Sequence, residues 1–225
     1  MFNQNQDTKG SGVNGRIGVI VRATEGLRLG ATLQTPSWFV IEDNYTEQLD
    51  NRGTIRGTSD SQTYPFTYNL RTPLKGSFGA SYIINGQALI TGDIDFIDYA
   101  STHFSSSNGG DLSVIADNNA TIRQNFTSAV NYRAGIEYKI NSLSLRTGYA
   151  VNGSPYKSDK NGFFDTKIYS GGLGYRASNY FVDLTYQKIE NQSTLSPYTL
   201  SNGSEATANL SHSKDNVFLT FGLRF

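Results

Sequence analysis

Apolar and polar side chains alternate residue by residue along most of this chain. In the final ten residues, NVFLTFGLRF, every second position is apolar, from Val217 to Phe225. The segments NYRAGIEYKI (131–140) and SLSLRTGYAV (142–151) follow the same rule, with polar residues or glycine at most of the intervening positions. A period of two places successive side chains on opposite faces of a β-strand. The pattern therefore predicts strands that are apolar on one face and polar on the other.

The alternation predicts about nine strands and almost no helix. The predicted strands are 12–23, 27–48, 61–84, 87–104, 128–140, 143–152, 166–177, 180–192 and 215–225. Short turns connect some of them, at 24–26, 85–86, 140–142 and 177–179. Long polar segments connect the others, at 49–60, 101–127, 153–165 and 193–214. Asn85-Gly86 in particular suits a two-residue type I′ hairpin.

Short and long connections alternate without exception, and this regularity indicates the architecture. Outer-membrane barrels have short periplasmic turns and longer external loops, whereas a soluble β-sandwich, the competing interpretation, has no reason for such a rule. The sequence therefore predicts an all-β fold, an antiparallel transmembrane β-barrel, with residues 1–225 in a single domain. The apolar row of each strand is then expected to face lipid and the polar row to face the lumen.

The same scheme predicts the orientation of the chain in a bacterial outer membrane. If the short turns are periplasmic, the last strand ends in the periplasm and the first strand starts outside. Bacterial barrels normally have an even number of strands. We therefore expect an odd number of strands, and an export signal, to precede residue 1.

Composition excludes several classes of function. The 19 basic and 19 acidic residues balance, so no charged field favours nucleic acid. The absence of cysteine excludes thiol catalysis and cysteine-ligated metals. The only histidines, His103 and His212, lie in no recognisable catalytic or binding pattern, and the chain carries no phosphate-binding glycine loop. We expect no enzymatic activity and no cofactor.

Several segments resemble the FadL-type outer-membrane transporters of long-chain fatty acids and other hydrophobic compounds. These segments are GSGVNGRIGVIVRATEGLRLGATLQTP, LRTPLKGSFGASYIINGQALITGDIDFIDYA, LSLRTGYAVNGSPY and FLTFGLRF. The resemblance implies a monomeric barrel of about 14 strands with an N-terminal plug, the hatch. It also implies an external groove that captures the ligand, a buried apolar pocket and a lateral exit. The chain would supply the C-terminal part of that barrel, without the hatch and the early strands.

Apolar residues in the external segments are the first candidates for a ligand site. The candidates are Trp38, Phe39, Val40, Ile41, Tyr64, Phe66, Tyr68, Phe104, Phe126, Phe163 and Phe164. They form either a capture groove for acyl chains or an aromatic girdle with packing between loops. SWFVI (37–41) is favoured for ligand contact, because its apolar run breaks the alternation that lipid exposure would impose. The resemblance adds Arg123, which stands just upstream of a strand, as the partner of a ligand carboxylate.

Charged residues of the polar rows are the second set of candidates. The residues assigned to the lumen are Arg16, Arg22, Arg28, Lys75, Asp93, Asp95, Arg133, Glu137, Lys139, Arg146, Arg176, Asp183 and Arg224. They form either an ion-pair network that anchors a plug or, for a few of them, the lining of a solute path. Thr35-Pro36 and Thr72-Pro73 are predicted at one height near the outer surface, where they either bend the strands outward or weaken the wall for ligand entry.

The function predicted from the sequence is passive transport of long-chain fatty acids or other hydrophobic small molecules through the outer membrane. The alternatives are a surface-exposed, adhesin-like barrel that binds partners through its loops, and a porin for polar solutes.

Overall fold

The computed structural model describes residues 2–51, 57–58, 61–106, 109, 111–201 and 203–223. The strands are β1 Phe2–Val13, β2 Arg16–Arg22, β3 Leu27–Gln34, β4 Trp38–Asn51, β5 Gly57–Thr58, β6 Gln62–Arg71, β7 Lys75–Ile84, β8 Ala88–Asp98, β9 His103–Ser106, β10 Ser128–Ile140, β11 Leu143–Asn152, β12 Thr166–Arg176, β13 Tyr180–Thr199 and β14 Glu205–Leu223. The helices are a 3₁₀ turn, Tyr99–Ser101, and α1, Leu112–Asn125. Arg224 and Phe225, predicted to face lumen and lipid, lie outside the described residues.

Nine strands form one antiparallel sheet, which we call the wall. Its order is β2-β3-β7-β8-β10-β11-β12-β13-β14, so chain neighbours are also neighbours in space. The predicted hairpin at Asn85-Gly86 is present, and both residues have positive φ (49° and 69°), as a type I′ turn requires. Its connection has three residues rather than the predicted two, because Ile84 pairs with Ala88. The count of nine strands agrees with the sequence prediction.

A second sheet continues four of these strands beyond the wall, and we call it the external sheet. Its order is β1-β4-β6-β9, with β5 paired to β4. The predicted strands 12–23, 27–48 and 61–84 are therefore each two strands, one in either sheet. The predicted strand 87–104 is likewise divided, by the 3₁₀ turn at Tyr99–Ser101.

The two sheets meet along a line of irregular backbone, the break, which contains both Thr-Pro pairs. Two residues, 14–15, lie unpaired between β1 and β2, whereas three residues, 35–37, lie unpaired between β3 and β4. The additional residue on one side is the arrangement of a β-bulge. Residues 72–74 interrupt the next strand. The prolines thus stand where the wall ends and the external sheet begins, because proline cannot donate to a ladder.

Threonine hydroxyls replace the missing ladder bonds at the break. The amide of Gly15 donates to Thr35 Oγ1 at 2.9 Å, and the amide of Ser37 donates to Thr72 Oγ1 at 2.8 Å. In return, the amide of Thr72 donates to the carbonyl of Ser37 at 2.9 Å. Each threonine that precedes a proline therefore accepts an amide from the neighbouring strand. These bonds join the strands across the break.

Replacing Thr72 by valine should release the Ser37 amide and destabilise the break. Ser37 is only 8 % exposed, so its amide has little access to water. Leaving a buried donor unpaired costs about 1–3 kcal/mol. Hydrogen exchange of the Ser37 amide should accelerate in Thr72→Val. Thr35→Val is the matched control, because it frees the solvent-exposed Gly15 amide and should leave Ser37 protected. Equal exchange at Ser37 in both variants would contradict this role.

On most strands of the wall the two rows differ in exposure in the way the alternation predicts. The exceptions include Ile20, which is 79 % exposed in the row of Arg16, and Val151, which is 2 % exposed in the row of Leu145. Large apolar side chains of one row are open, as at Leu219 (74 % exposed) and Ile17 (73 %). In the other row Asp95 and Asn131 are buried. Charged side chains of this second row bond to one another across strands. The apolar row is therefore the outward row, which requires a covering of lipid, and the polar row faces the lumen.

Tyrosines border the outward apolar row at both ends. On three strands an upper and a lower tyrosine stand six positions apart: Tyr132 and Tyr138, Tyr169 and Tyr175, and Tyr186 and Tyr180. This separation is about 20 Å along a strand at roughly 3.3 Å per residue. With the size of the rings added, the height of this apolar band approaches the value of about 25 Å that is typical between the aromatic girdles of membrane barrels.

Two polar regions differ from the sequence prediction. The segment 193–214, predicted as a loop, is mostly strand, because β13 and β14 stay paired from Tyr180↔Leu223 to Thr199↔Glu205. The segment 101–127, predicted without helix, contains α1. None of the helices in the described part of the chain has the length and apolarity to cross a membrane.

Candidate functional site

Aromatic and aliphatic side chains cover one face of the external sheet, and we call them the inner patch. Its members are Phe39, Ile41, Phe66, Tyr68 and Phe104. The ring centroids of Tyr68 lie 5.3 Å from Phe66 and 5.6 Å from Phe104. All five residues are half-buried. Burial raises the pKa of Tyr68, and the charge of Asp43 raises it further, so the hydroxyl remains a neutral donor.

The inner patch continues the lumen face of the wall. The ring of Phe39 lies directly over Gly12, where a Cβ atom would fall 2.4 Å from the ring. Counting back in twos from Arg16, a lumen residue, leads through Asn14 to Gly12. Only glycine leaves room for the ring. The patch is therefore an apolar surface at the end of the lumen where the external sheet begins.

The bulge at the break divides the apolar run SWFVI between two faces. Phe39 and Ile41 belong to the inner patch, whereas Trp38 and Val40 lie on the opposite face, 50 % and 48 % exposed. The sequence pattern alone predicts one contact surface for the run, because successive apolar residues break the alternation. Within β4 the alternation is intact, and each face receives its own apolar pair.

Phe126 belongs to a different group, which we call the mouth cluster. Its members are Phe126, Tyr156, Phe163 and Phe164. Phe126 and Tyr156 pair as an isolated antiparallel bridge, with ring centroids 5.2 Å apart. Tyr156 was not among the sequence candidates, since it stands alone in a polar segment. No neighbouring apolar residue at strand or helix spacing indicated that Tyr156 belongs to a cluster.

The carboxylate of Asp159 shapes the loop that carries two of these rings. It accepts the amides of Phe163 and Phe164, both at 2.8 Å. Desolvation opposes ionisation of Asp159, but the amides of Phe164 and Phe163 and the Ser154 hydroxyl outweigh it, so the pKa lies below its usual value. The loop is thus held by a carboxylate that stays charged at neutral pH.

Arg123 lies in the last turn of α1 and not in a loop. Its side chain is exposed, and the described residues provide it with no ion-pair partner. Lys157 Nζ donates to the Arg123 carbonyl, which ties the helix end to the segment that carries Tyr156. A cation at a helix C-terminus is favourable in itself. Arg123 therefore stands beside the mouth cluster with its guanidinium open.

Asn119, which is not among the residues predicted from the sequence, holds β9 in place. Its Oδ1 accepts the amide of Phe104 and its Nδ2 donates to the Phe104 carbonyl, both at 2.8 Å. This side chain closes the free edge of β9 and fixes one end of the inner patch. Ile115, Asn119 and Ile122 recur at helical spacing, which was the available signal for α1.

Most predicted lumen charges form two groups on the wall. The first group is Lys75, Asp93, Asp95 and Arg133. The second group is Glu137, Lys139, Arg146 and Asp183. Each contains two cations and two carboxylates, so each is neutral by itself. These charges therefore pair within the wall.

The remaining arginines behave differently. Arg16 donates to Gln34 Oε1 at 2.5 Å, and Arg176 lies 5.9 Å from the ring centre of Phe181. Arg22 and Arg28 stand directly opposite each other, and no carboxylate among the described residues pairs with either. A groove of about 550 Å³ is lined by Arg16, Asp93, small residues such as Gly18, Gly30 and Gly79, and the apolar side chains of Val19, Ile20 and Phe78.

Two solved structures are similar to this fold. One is a Pseudomonas aeruginosa FadL homologue, with a TM-score of 0.52, 12 % identity, and coverage of 96 % of this chain and 68 % of that chain. The other is the P. putida toluene transporter TodX, with a TM-score of 0.56, 15 % identity, and coverage of 96 % and 50 %. These likenesses confirm the fold predicted from the sequence, an antiparallel transmembrane barrel of which this chain spans a part.

A comparison with curated proteins found no match. The sequence profile described as "Outer membrane protein transport protein (OMPP1/FadL/TodX)" matches residues 2–225. That range includes every segment on which the resemblance in the sequence rested. The chain therefore belongs to the OMPP1/FadL/TodX family of outer-membrane transport proteins.

Proposed function

We propose that this chain forms part of a passive transporter that carries long-chain fatty acids or similar hydrophobic molecules through the outer membrane. The inner patch carries this proposal: it is half-buried, apolar and continuous with the lumen face. Apolar clefts with a few polar groups are the usual sites for such ligands. The family consists of transporters and not enzymes, as the sequence analysis predicted.

Transport would proceed by diffusion between sites of similar affinity, without nucleotide hydrolysis. An acyl chain would leave water at the inner patch, where Phe66 and Tyr68 offer aromatic faces. It would then pass along the lumen face of the wall, where eight charged side chains form two groups that are each neutral. In this scheme the barrel acts as a monomer, the external sheet faces the medium, and the C-terminus lies in the periplasm.

Replacing Ile41 by serine should reduce uptake of a labelled long-chain fatty acid by cells. Ile41 lies on the inner patch, and a lost aliphatic contact of this size weakens binding by roughly fivefold or more. Val40→Ser is the matched control, because Val40 is adjacent in sequence and lies on the opposite face. If both substitutions leave uptake unchanged, or if the intact protein takes up none, the proposal fails.

Arg123 and Phe126 are proposed as the site of the ligand carboxylate and of the adjoining carbons. The exposed guanidinium stands three residues before a ring of the mouth cluster. Arg123→Ala should weaken binding of a fatty acid and leave binding of the corresponding neutral alcohol unchanged, because only the acid uses the cation. Equal affinities for the acid in both proteins would remove Arg123 from the site.

The adhesin-like alternative is favoured by one observation, the length of the β13–β14 hairpin. The two strands remain paired for about 13 positions beyond Tyr186, which at roughly 3.3 Å per residue is about 40 Å. A surface so far from the wall suits contact with a large partner. Deleting residues 191–212 separates the two functions, since a transporter should retain uptake and an adhesin should lose its binding.

A further inference from the structure

Trp38, Arg71 and His103 form one cross-strand row on the external sheet. Trp38 pairs with Arg71, and Arg71 pairs with His103, so the three residues stand side by side on β4, β6 and β9. Directly opposed residues share a face and lie about 5 Å apart at Cβ. All three are exposed, and Trp38, with its neighbour Val13, lies on the face opposite the inner patch. We call them the outer row.

The outer row lies directly beyond the lipid-facing part of the wall. Below the break, the outward side chains of the same strands are apolar and open, as at Phe78 (59 % exposed) and Phe96 (47 %). Trp38 follows the break on its strand, and tryptophan favours the interface between hydrocarbon and headgroups. The outer row therefore stands at the height of the lipid headgroups.

The basic residues of the outer row have no carboxylate to neutralise them among the described residues. Arg71 makes one long hydrogen bond, from Nη2 to the Ser101 carbonyl at 3.4 Å. Of the nearby carboxylates, Glu42 stands opposite Lys9, and Asp98 accepts the Ser128 hydroxyl. By contrast, Lys188, an outward cation above the upper tyrosines, is paired with a carboxylate: its Nζ lies 2.7 Å from Glu190.

We infer that the outer row is a binding site for the phosphate groups of membrane lipids. The Arg71 guanidinium has free N–H groups in the fork that matches phosphate oxygens, and His103 adds a further donor. Trp38 supplies the apolar contact that holds the row at the interface. The inference rests on the outer-membrane location and orientation of the proposed function, but not on the identity of the cargo.

The test uses Trp38 itself, the only tryptophan of the chain. The full chain is reconstituted in vesicles of phosphatidylcholine, with and without lipid A. The phosphates of lipid A carry net negative charge, whereas the phosphate of phosphatidylcholine is balanced by its choline cation. Quenching of Trp38 by brominated phosphatidylcholine measures which lipid occupies the site. Lipid A should displace the brominated lipid, and Arg71→Gln with His103→Gln should weaken that preference by about five- to tenfold. Arg71→Lys should retain part of it.

Two controls separate the ways in which the inference can fail. Lys188→Gln removes an outward cation that already has a partner, so the preference for lipid A should not change. If brominated lipid quenches Trp38 but lipid A displaces it equally in all variants, phosphate binding at the outer row is overturned while the membrane position stands. If Trp38 fluoresces like a tryptophan that is fully exposed to water, and brominated lipid does not quench it, the membrane position of the outer row is wrong as well.

Discussion

Replacing Leu184 by arginine is expected to destabilise the protein in a bilayer by about 2–4 kcal/mol, the cost of a charge near the middle of the lipid face of a barrel. Leu184 lies on the outward row between Tyr180 and Tyr186 and opposite Leu219. Its side chain is 46 % exposed in the protein alone, an exposure that lipid would convert into contact with hydrocarbon. Urea unfolding in vesicles, followed by the mobility of unheated samples in gels, measures the change.

Thr185→Arg provides the matched control for this prediction. Thr185 is the next residue on β13 and belongs to the lumen row, where it pairs with Gly172 and Phe218. An arginine there enters a polar interior and should change the free energy of unfolding by less than about 1 kcal/mol. If the two arginines cost the same, the outward row does not contact lipid, and the assignment of the two faces is wrong.

Replacing Arg133 by methionine is expected to lower the free energy of unfolding by about 2–3 kcal/mol. Arg133 donates to Asp93 and to Asp95, both at 2.6 Å, and the Asp95 side chain is only 2 % exposed. Removing one partner of a buried ion pair costs about 3–5 kcal/mol, and the cost here is lower because Lys75 stays 2.8 Å from Asp95. The same unfolding assay measures it.

A control and a rescue make the Arg133 prediction specific. Lys139→Met, on the same strand and row, removes a 3.4 Å contact from Glu137, which retains Arg146, so it should cost about 0–1 kcal/mol. Adding Asp95→Asn to Arg133→Met leaves Lys75 and Asp93 as one cation and one carboxylate and should restore part of the loss. An Arg133→Met variant as stable as Lys139→Met would show that water already screens this group.

The strands of the wall were predictable because lipid and lumen impose opposite chemistry on alternate residues. For β10 and β11 the predicted and observed bounds agree, Ser128–Ile140 and Leu143–Asn152. Beyond the membrane that constraint ends, since water lies on both sides of the strand. The outer half of the β13–β14 hairpin is consequently polar on both faces, and the sequence pattern indicated a loop.

The candidate site was predictable only in part, because irregular backbone decides which way each ring points. Phe66 and Tyr68 share a face by simple alternation, and they contact each other. Phe39 joins them only because the bulge at residues 35–37 shifts the alternation of side chains between the two faces by one residue. A one-residue shift turns every later side chain to the other face. Nothing in the apolar run itself specifies that shift.

The sequence by itself determined the two-faced strands, their number and the family, because each follows from local alternation or from the identity of neighbouring residues. Only the tertiary structure decided the partners of the charges and rings. Arg133 and Asp93 are 40 positions apart, and Asn119 reaches Phe104 from a helix. Such contacts depend on how strands are aligned in register and where α1 lies. Both are set by many weak interactions across the sheets rather than by any one segment.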